Sequence, residues 1–371
     1  MKVDISNNDF YSKELEEYLR NKFLSSAKTP NNRNTYADKE YVETWQSYID
    51  ESNKAGALEV LKKCYPQLKF PIEKDIDKTE EYRNFVFKGR TTNAFSNEEI
   101  GLNNAEGIEI KLHESIAGKI PVLIIPNDID FVKIIQSLVH RNNPVQIPDP
   151  MGAAVLNGIN NWYRLHKLSS AWLKNNPLGN WPQEFTKNIK PYPSLFKDRL
   201  IVLSRKPYSN IPAKDLNLLE ESWRKYSLEI RLEHECTHLY TLQKFGVMNN
   251  NLHDELIADY IGICKALGSF NKSWLLHFMG LENYPVYRKG ARLENYVKNS
   301  TITGKSFEQL IAIMKNGIEN IYEFDQYLGS IKSDIDKQCR IDSLCKISLL
   351  EIASENGTKI LIEKYHNQSS I

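Results

Sequence analysis

The residues best suited to chemistry lie in the stretch 232–239, which reads Leu-Glu-His-Glu-Cys-Thr-His-Leu. Residues four positions apart lie on one face of a helix, so His234 and His238 can offer imidazole nitrogens to one metal ion. Glu235 lies about 100° further round the helix. From there it can reach a water on the metal without binding the metal itself. Cys236 falls on the opposite, apolar side and is predicted to be a core thiol.

Two histidines leave a zinc ion short of ligands, because a catalytic site usually takes three protein ligands and a water. Glu255 lies at the beginning of the next predicted helix and is the predicted third ligand. Asp259 follows one helical turn later, on the same face. A ligating imidazole normally donates its other N–H to a carboxylate or carbonyl, and Asp259 is predicted to accept that hydrogen bond. The expected cofactor is therefore Zn²⁺.

Together the two segments resemble a known family signature. The run His234-Glu235-Cys236-Thr237-His238, followed by Glu255-Leu256-Ile257-Ala258-Asp259, is similar to the His-Glu-x-x-His and Glu-x-x-x-Asp motifs of the zincin metallopeptidases, in the gluzincin subgroup. The resemblance covers residues 230–260 and a preceding strand. It implies an α+β fold with a small mixed sheet, a long motif helix and a helical C-terminal lobe. It also implies an edge strand beside the cleft, for which 199–204 is the candidate, the alternative being an ordinary buried strand.

The resemblance implies hydrolysis of a peptide bond. Zinc would activate a water, and Glu235 would take its proton as general base. The resulting oxyanion needs a donor besides the metal. Tyr287 and Arg292 are the predicted catalytic donors, chosen from a polar cluster at 287–296. Further candidates are His253, Arg288 and Tyr296, and the alternative for the cluster is a solvated, salt-bridged turn.

Other functions fit the same residues. A zinc hydrolase could act on a non-peptide amide or ester, so the expected substrate is a peptide or a small amide. A non-catalytic binding protein could keep the zincin fold, although Glu235 argues against this because a protein that needs only the metal does not need the base. Finally, the motif could be coincidental in a protein without metal.

The elements that must position these residues follow from hydrophobic periodicity. Residues 1–80 are predicted to form a helical N-terminal region, and 81–371 a zincin-like catalytic domain. The sheet part of that domain is expected in 81–212. The active-site helix and helical lobe are expected in 213–371. A long helix at 215–246, with a break near Ser227 allowed, and a second one from 251 or 254 to about 268 should carry the ligands.

Within the predicted sheet part, alternation at 108–112 and an apolar run at 120–125 predict two strands joined as a hairpin. A further strand is predicted at 82–88 and a helix at 153–168. The rest of 142–198 is rich in proline, glycine and aromatic residues. This segment is expected to be irregular. It could form one wall of a substrate cleft, or it could simply cover the protein surface.

Composition narrows the functional classes. Lysine and arginine total 48 against 47 acidic residues, so no overall field attracts nucleic acid or anionic lipid, although a local basic patch is allowed. No apolar run is long enough to span a bilayer, and residues 1–7 lack an apolar signal core. The five cysteines contain no Cys-x-x-Cys pair, which favours free thiols. The expectation is a cytoplasmic enzyme without nucleic-acid or membrane partners.

Overall fold

The computed structural model describes residues 11–25, 39–90, 99–248 and 251–369. The predicted absence of a signal core at 1–7 concerns residues outside these ranges. The chain divides into two compact units. The sheet unit is Asn31–Lys206, and the helical unit combines Met1–Pro30 with Pro207–Ile371. The predicted boundary at residue 80 falls inside the sheet unit.

The fold is a mixture of helices and one small sheet. In chain order the α-helices are α1 (Lys13–Leu19), α2 (Lys22–Ser25), α3 (Lys39–Ala55), α4 (Ala57–Cys64), α5 (Glu80–Tyr82), α6 (Asp128–His140), α7 (Trp162–Asn175), α8 (Trp181–Glu184), α9 (Glu220–Phe245), α10 (Leu252–Leu267), α11 (Lys272–Met279), α12 (Leu293–Val297), α13 (Gly304–Leu328), α14 (Asp334–Cys345), α15 (Leu349–Ala353) and α16 (Gly357–Ser369). Short 3₁₀ or π turns connect several of them. An α+β class is therefore confirmed.

Four strands build the sheet, in the order β1-β2-β4-β3. They are β1 (Glu109–Ser115), β2 (Gly118–Ile125), β3 (Ala153–Asn160) and β4 (Lys197–Ser204). Strands β1 and β2 form the predicted hairpin, β2 and β4 run parallel, and β3 and β4 run antiparallel. The apolar run in β2 is buried along its length, whereas β1 is only partly buried. Buried residues such as Trp45, Phe131 and Val202 belong to the core of this unit.

Two predictions for this unit are wrong, and one pair of alternatives is decided. Residues 82–88 are not a strand: α5 continues into a π turn at Arg83–Phe87. Residues 153–168 are not one helix, because β3 occupies the first half by pairing with β4 and α7 begins only at Trp162. Of the two alternatives for 199–204, the ordinary buried strand is confirmed, because β4 lies between β2 and β3 and is not an edge strand. From Ile201 to Leu203 both edges of β4 are paired, so this part cannot pair with a substrate.

The helical unit carries the motif on its longest helix. Helix α9 begins with two glutamates in its first turn and ends at Gly246, whose φ of 73° suits a glycine cap. It is continuous, without the break allowed near Ser227. Helix α10 is capped by the Asn251 side chain, which accepts hydrogen bonds from the His253 and Asp254 amides at 3.1 Å. Helix α10 thus lies where the periodicity predicts it, whereas α9 begins five residues later than predicted, after a 3₁₀ turn at Ala213–Leu216.

Helices α9 and α10 form a tight antiparallel pair. A Cβ added to Gly262 would lie 2.7 Å from the backbone oxygen of Ile230, so only glycine allows this approach. Ile230 precedes His234 by one helical turn, and Gly262 follows Asp259 within one turn. The close contact therefore sets the two motif segments side by side.

Two further observations bear on the predicted setting. Among the described residues, no helix is both long and apolar enough to cross a membrane. All five cysteines are free thiols, and Cys236 is buried as predicted.

Candidate metal centre

The motif histidines converge from one face of α9. The Nε2 atoms of His234 and His238 lie 3.0 Å apart, and their ring planes are nearly perpendicular. Both side chains are buried, at 7% and 3% exposure. The four-residue spacing places them one above the other, as the helix period requires.

Glu255 completes a three-donor set from the neighbouring helix. One carboxylate oxygen lies 3.5 Å from Nε2 of His234 and the other 3.5 Å from Nε2 of His238. Tetrahedral zinc with bonds near 2.0–2.1 Å would hold its ligand atoms about 3.4 Å apart. We call His234, His238 and Glu255 the ligand cluster. Among the described histidine, cysteine and carboxylate groups, those of this cluster lie close enough together to bind one metal ion. The donor set therefore fits zinc.

A carboxylate lies behind each histidine. Asp259 Oδ1 is 2.9 Å from Nδ1 of His234, the position predicted for it. Asp254 Oδ1 is 3.2 Å from Nδ1 of His238, a role that sequence reasoning missed. Both aspartates are fully buried. A carboxylate at Nδ1 favours the tautomer that leaves the Nε2 lone pair for a metal.

Tyr208 supports one of these carboxylates from outside the motif. Its hydroxyl donates to Asp259 Oδ1 at 2.6 Å and lies 3.0 Å from Nδ1 of His234. Burial raises the pKa of Tyr208 well above its ordinary value, so the hydroxyl keeps its proton. The guanidinium carbons of Arg231 and Arg292 lie 5.4 and 5.3 Å from the ring centroid. Sequence reasoning missed Tyr208, which precedes the motif by 26 positions and shares no local pattern with it.

The polar cluster at 287–296 contributes two residues to the site. Arg292 forms an ion pair with Asp259 and lies 3.7 Å from Glu255 Oε2. Tyr296 donates its hydroxyl to the same Glu255 oxygen at 2.7 Å. Both are held by the short helix α12, which begins directly after Arg292.

The other candidate donors point elsewhere. The Tyr287 hydroxyl donates to the backbone oxygen of Ala291, and Arg288 pairs with Glu282. His253 has its Nε2 2.9 Å from the backbone oxygen of Leu344. The structure thus brings Arg292 and Tyr296 to the ligand cluster, and does not bring Tyr287 there.

Glu235 lies on the partly exposed side of α9 beside the buried ligands. Burial raises the pKa of Glu235, against the lowering effect of His234 and His238. A raised pKa suits a carboxylate that must accept a proton. By contrast, the pKa of Glu255 is held well below its ordinary value, because His238, His234 and Arg292 outweigh the effect of burial.

The charges around the ligand cluster do not balance. When both imidazoles are neutral, as metal ligands must be, four carboxylates and two guanidinium groups leave a formal charge of minus two, which a divalent cation would neutralise. The groups concerned are Glu235, Asp254, Glu255 and Asp259 with Arg231 and Arg292. Without a metal, burial is outweighed by Asp254 and Glu255, which raise the pKa of His238 well above its ordinary value, so a proton on His238 offsets part of that charge.

Sequence comparison places the chain in a family without assigning an activity. The chain belongs to the family of unknown function DUF7005, whose profile matches residues 3–356. No curated protein matches the chain. No solved structure matches it either.

Proposed function

We propose that this protein is a zinc-dependent peptidase of the gluzincin type, hydrolysing peptide bonds with Glu235 as general base. The observation that carries the proposal is the ligand cluster, in which two histidines and a glutamate converge with a carboxylate behind each imidazole. The α+β architecture and the long motif helix support a zincin-like fold. The partly exposed Glu235 beside buried ligands supports hydrolysis rather than a purely structural zinc site.

Zinc bound to the ligand cluster would supply a Lewis acid and a water of lowered pKa. Glu235 accepts the proton of the attacking water and passes it to the leaving amine. Tyr296 orients the Glu255 carboxylate through its 2.7 Å hydrogen bond. Arg292 holds Asp259, which in turn orients His234. In this scheme Arg292 is a positioning residue and not the predicted oxyanion donor, and Tyr287 has no role.

The test is substitution of the base without disturbing the ligands. Glu235→Gln should leave the fold and about one zinc per chain in place. Hydrolysis of a peptide library should fall by about 100-fold or more. Glu229→Gln is the matched control, since Glu229 lies on the same helix outside the site.

Three results would separate the possibilities. A folded, zinc-loaded Glu235→Gln variant with wild-type turnover would refute the role of Glu235. Zinc binding together with cleavage of small amides or esters but no peptides would indicate the alternative hydrolase. Protein that purifies without metal and is not stabilised by added zinc would refute the metal centre itself.

A further inference from the structure

An apolar side chain stands at the tip of an exposed turn in the sheet unit. The turn joins α7, which ends at Asn175, to α8, which begins at Trp181. At its tip Leu178 is fully exposed, with a relative accessibility of 103%, and Leu173 nearby is 38% exposed. A single exposed leucine is ordinary in itself, so what matters is how the turn holds Leu178 and which charges lie beside it.

The turn is braced so that Leu178 cannot fold back. The Trp172 ring packs directly on Gly179, where an added Cβ would fall 2.2 Å from the ring. The Asn176 side chain donates to the Trp172 carbonyl at 2.9 Å, and the Gly179 amide donates to the Asn176 carbonyl at 2.9 Å. Trp181 lies 5.9 Å from Trp172, closing the base of the turn. The tip is therefore presented by a packed support.

The segment around the turn carries exposed positive charge, although the chain as a whole has a net charge of only +1. Residues 162–197 contain six lysines and arginines and one acidic residue. One of the six, Arg164, is buried and paired with Asp198, so it does not contribute to the surface charge. Lys174, Lys187 and Lys190 are exposed. Within the described part of the chain, none of these three forms an ion pair. Their charge is thus available to an external anion.

We propose that this tip surface, formed by Leu173, Lys174, Leu178, Lys187 and Lys190, docks the protein on anionic phospholipid membranes. A protruding leucine can bury its side chain at the boundary between headgroups and acyl chains. Lysines beside it interact with anionic headgroups, and each adds to the affinity. Tryptophans at the base of the turn suit the polar–apolar boundary. The balanced whole-chain charge allowed such a local basic patch, although no membrane partner was expected from it.

The aromatic packing favours a membrane over a single-stranded nucleic acid. Base stacking requires aromatic faces that are open to the ligand. Here the rings contact one another, Trp181 with Trp172 and Phe185, and Phe185 with Phe196. The group at the tip is aliphatic, which suits insertion among lipids rather than stacking.

Vesicle sedimentation of the full chain tests the proposal. Wild-type protein should bind vesicles that contain phosphatidylglycerol and not vesicles of phosphatidylcholine alone, and binding should weaken as salt is added. Leu178→Asp should lower partitioning at least about tenfold. The double variant Lys187→Glu/Lys190→Glu should lower it by about tenfold or more at low salt.

Ile335→Asp is the matched control, because Ile335 is also an exposed aliphatic residue, at 74%, and lies in the helical unit. It should bind vesicles as the wild type does, and circular dichroism should show all variants folded. Equal binding by wild type and Leu178→Asp would overturn the proposal. So would wild-type binding to oligonucleotides but not to vesicles, or a Leu178-dependent self-association without vesicle binding.

Discussion

Two buried charged clusters in the helical unit use similar residues in opposite ways. The closed cluster consists of Arg340, Asp325 and Asp336, all nearly inaccessible to solvent. Arg340 contacts each aspartate at 3.0 Å, and its remaining nitrogen donates to the Gly329 carbonyl. The aspartates also receive protein donors, which are the Tyr260 and Tyr365 hydroxyls at 2.9 Å and the Phe270 amide at 3.0 Å.

In the ligand cluster, by contrast, potential metal-donor atoms converge on one point. With neutral imidazoles the groups around it carry a formal charge of minus two, against minus one for Arg340 with its two aspartates. The two Nε2 atoms face one another at 3.0 Å, with Glu255 oxygens at 3.5 Å from each. A buried charge that protein partners satisfy serves the fold, whereas a buried set of acceptors with surplus negative charge favours a cation. Protein donors satisfy the charges of the closed cluster, whereas a bound cation would satisfy those of the ligand cluster. Removing Arg340, the metal or single supporting side chains tests this difference.

The largest effect is expected at the closed cluster. Arg340→Met leaves two buried aspartates without their cation, so the free energy of unfolding should fall by about 3–5 kcal/mol. Urea denaturation measures this, with and without a chelator, and the loss should be the same in both. Arg224→Met, an exposed position on α9, should change stability little. If the loss at Arg340 depended on zinc, the closed cluster would not be independent of the ligand cluster.

Metal removal should act on the ligand cluster alone. At free zinc a hundred times its dissociation constant, binding adds about 2.7 kcal/mol to the free energy of unfolding. A chelator should remove that increment, measured as a lower urea midpoint. The same increment should appear in the Arg340→Met background to within about 0.5 kcal/mol, because the hydrogen bonds and ion pairs described above for the two clusters involve different residues. An unchanged midpoint in the wild type would mean that the histidines do not hold a metal.

A third test removes a supporting carboxylate from the ligand cluster. Asp254→Asn should weaken zinc binding by about 10–100-fold, because the amide orients His238 less firmly and raises its basicity less. Competition against a chelator of known affinity measures the change. The exposed Asp334→Asn, at 71% side-chain exposure, should leave zinc affinity unchanged. Wild-type affinity in Asp254→Asn would show that the 3.2 Å contact does not serve the metal.

The ligand cluster was accessible to sequence reasoning because local geometry determines most of it. The spacing of His234 and His238 is one helical turn, and Glu255 and Asp259 repeat that spacing on the next helix. The supporting residues depend on packing instead. Asp254 faces His238 only because α9 and α10 run antiparallel at the Gly262 contact. Choosing among the five donor candidates required the position of α12, which no local pattern encodes.

The fold shows the same division between local and distant information. Helices α9 and α10 and the β1–β2 hairpin were predicted, since periodicity and neighbouring turns specify them. The order of the strands could not be predicted, because an apolar run such as β4 has the same sequence pattern at the edge of a sheet and in its interior. Likewise 153–160 became a strand through pairing with β4, a contact made 37 or more positions away. Tertiary pairing outweighed the local helical pattern there.

The smallest expected effects come from two tyrosines that each donate to a carboxylate, one in each cluster. Tyr296 donates to Glu255, and Tyr260 donates to Asp325. Each hydrogen bond to a carboxylate contributes on the order of 1.5–3 kcal/mol at most. Tyr296→Phe should therefore weaken zinc binding by roughly 5-fold, about 1 kcal/mol, and leave metal-free stability little changed.

Tyr260→Phe should do the reverse, lowering the free energy of unfolding by about 1 kcal/mol without changing zinc affinity. Chelator competition and urea denaturation on both variants measure the four values. Both variants lose one tyrosine hydroxyl. If one of them changes only zinc affinity and the other only stability, the loss of a hydroxyl in general cannot be the cause. Equal effects of the two variants on both quantities would mean that the clusters act as one network through α10, and the distinction between a closed and a cation-binding cluster would fail.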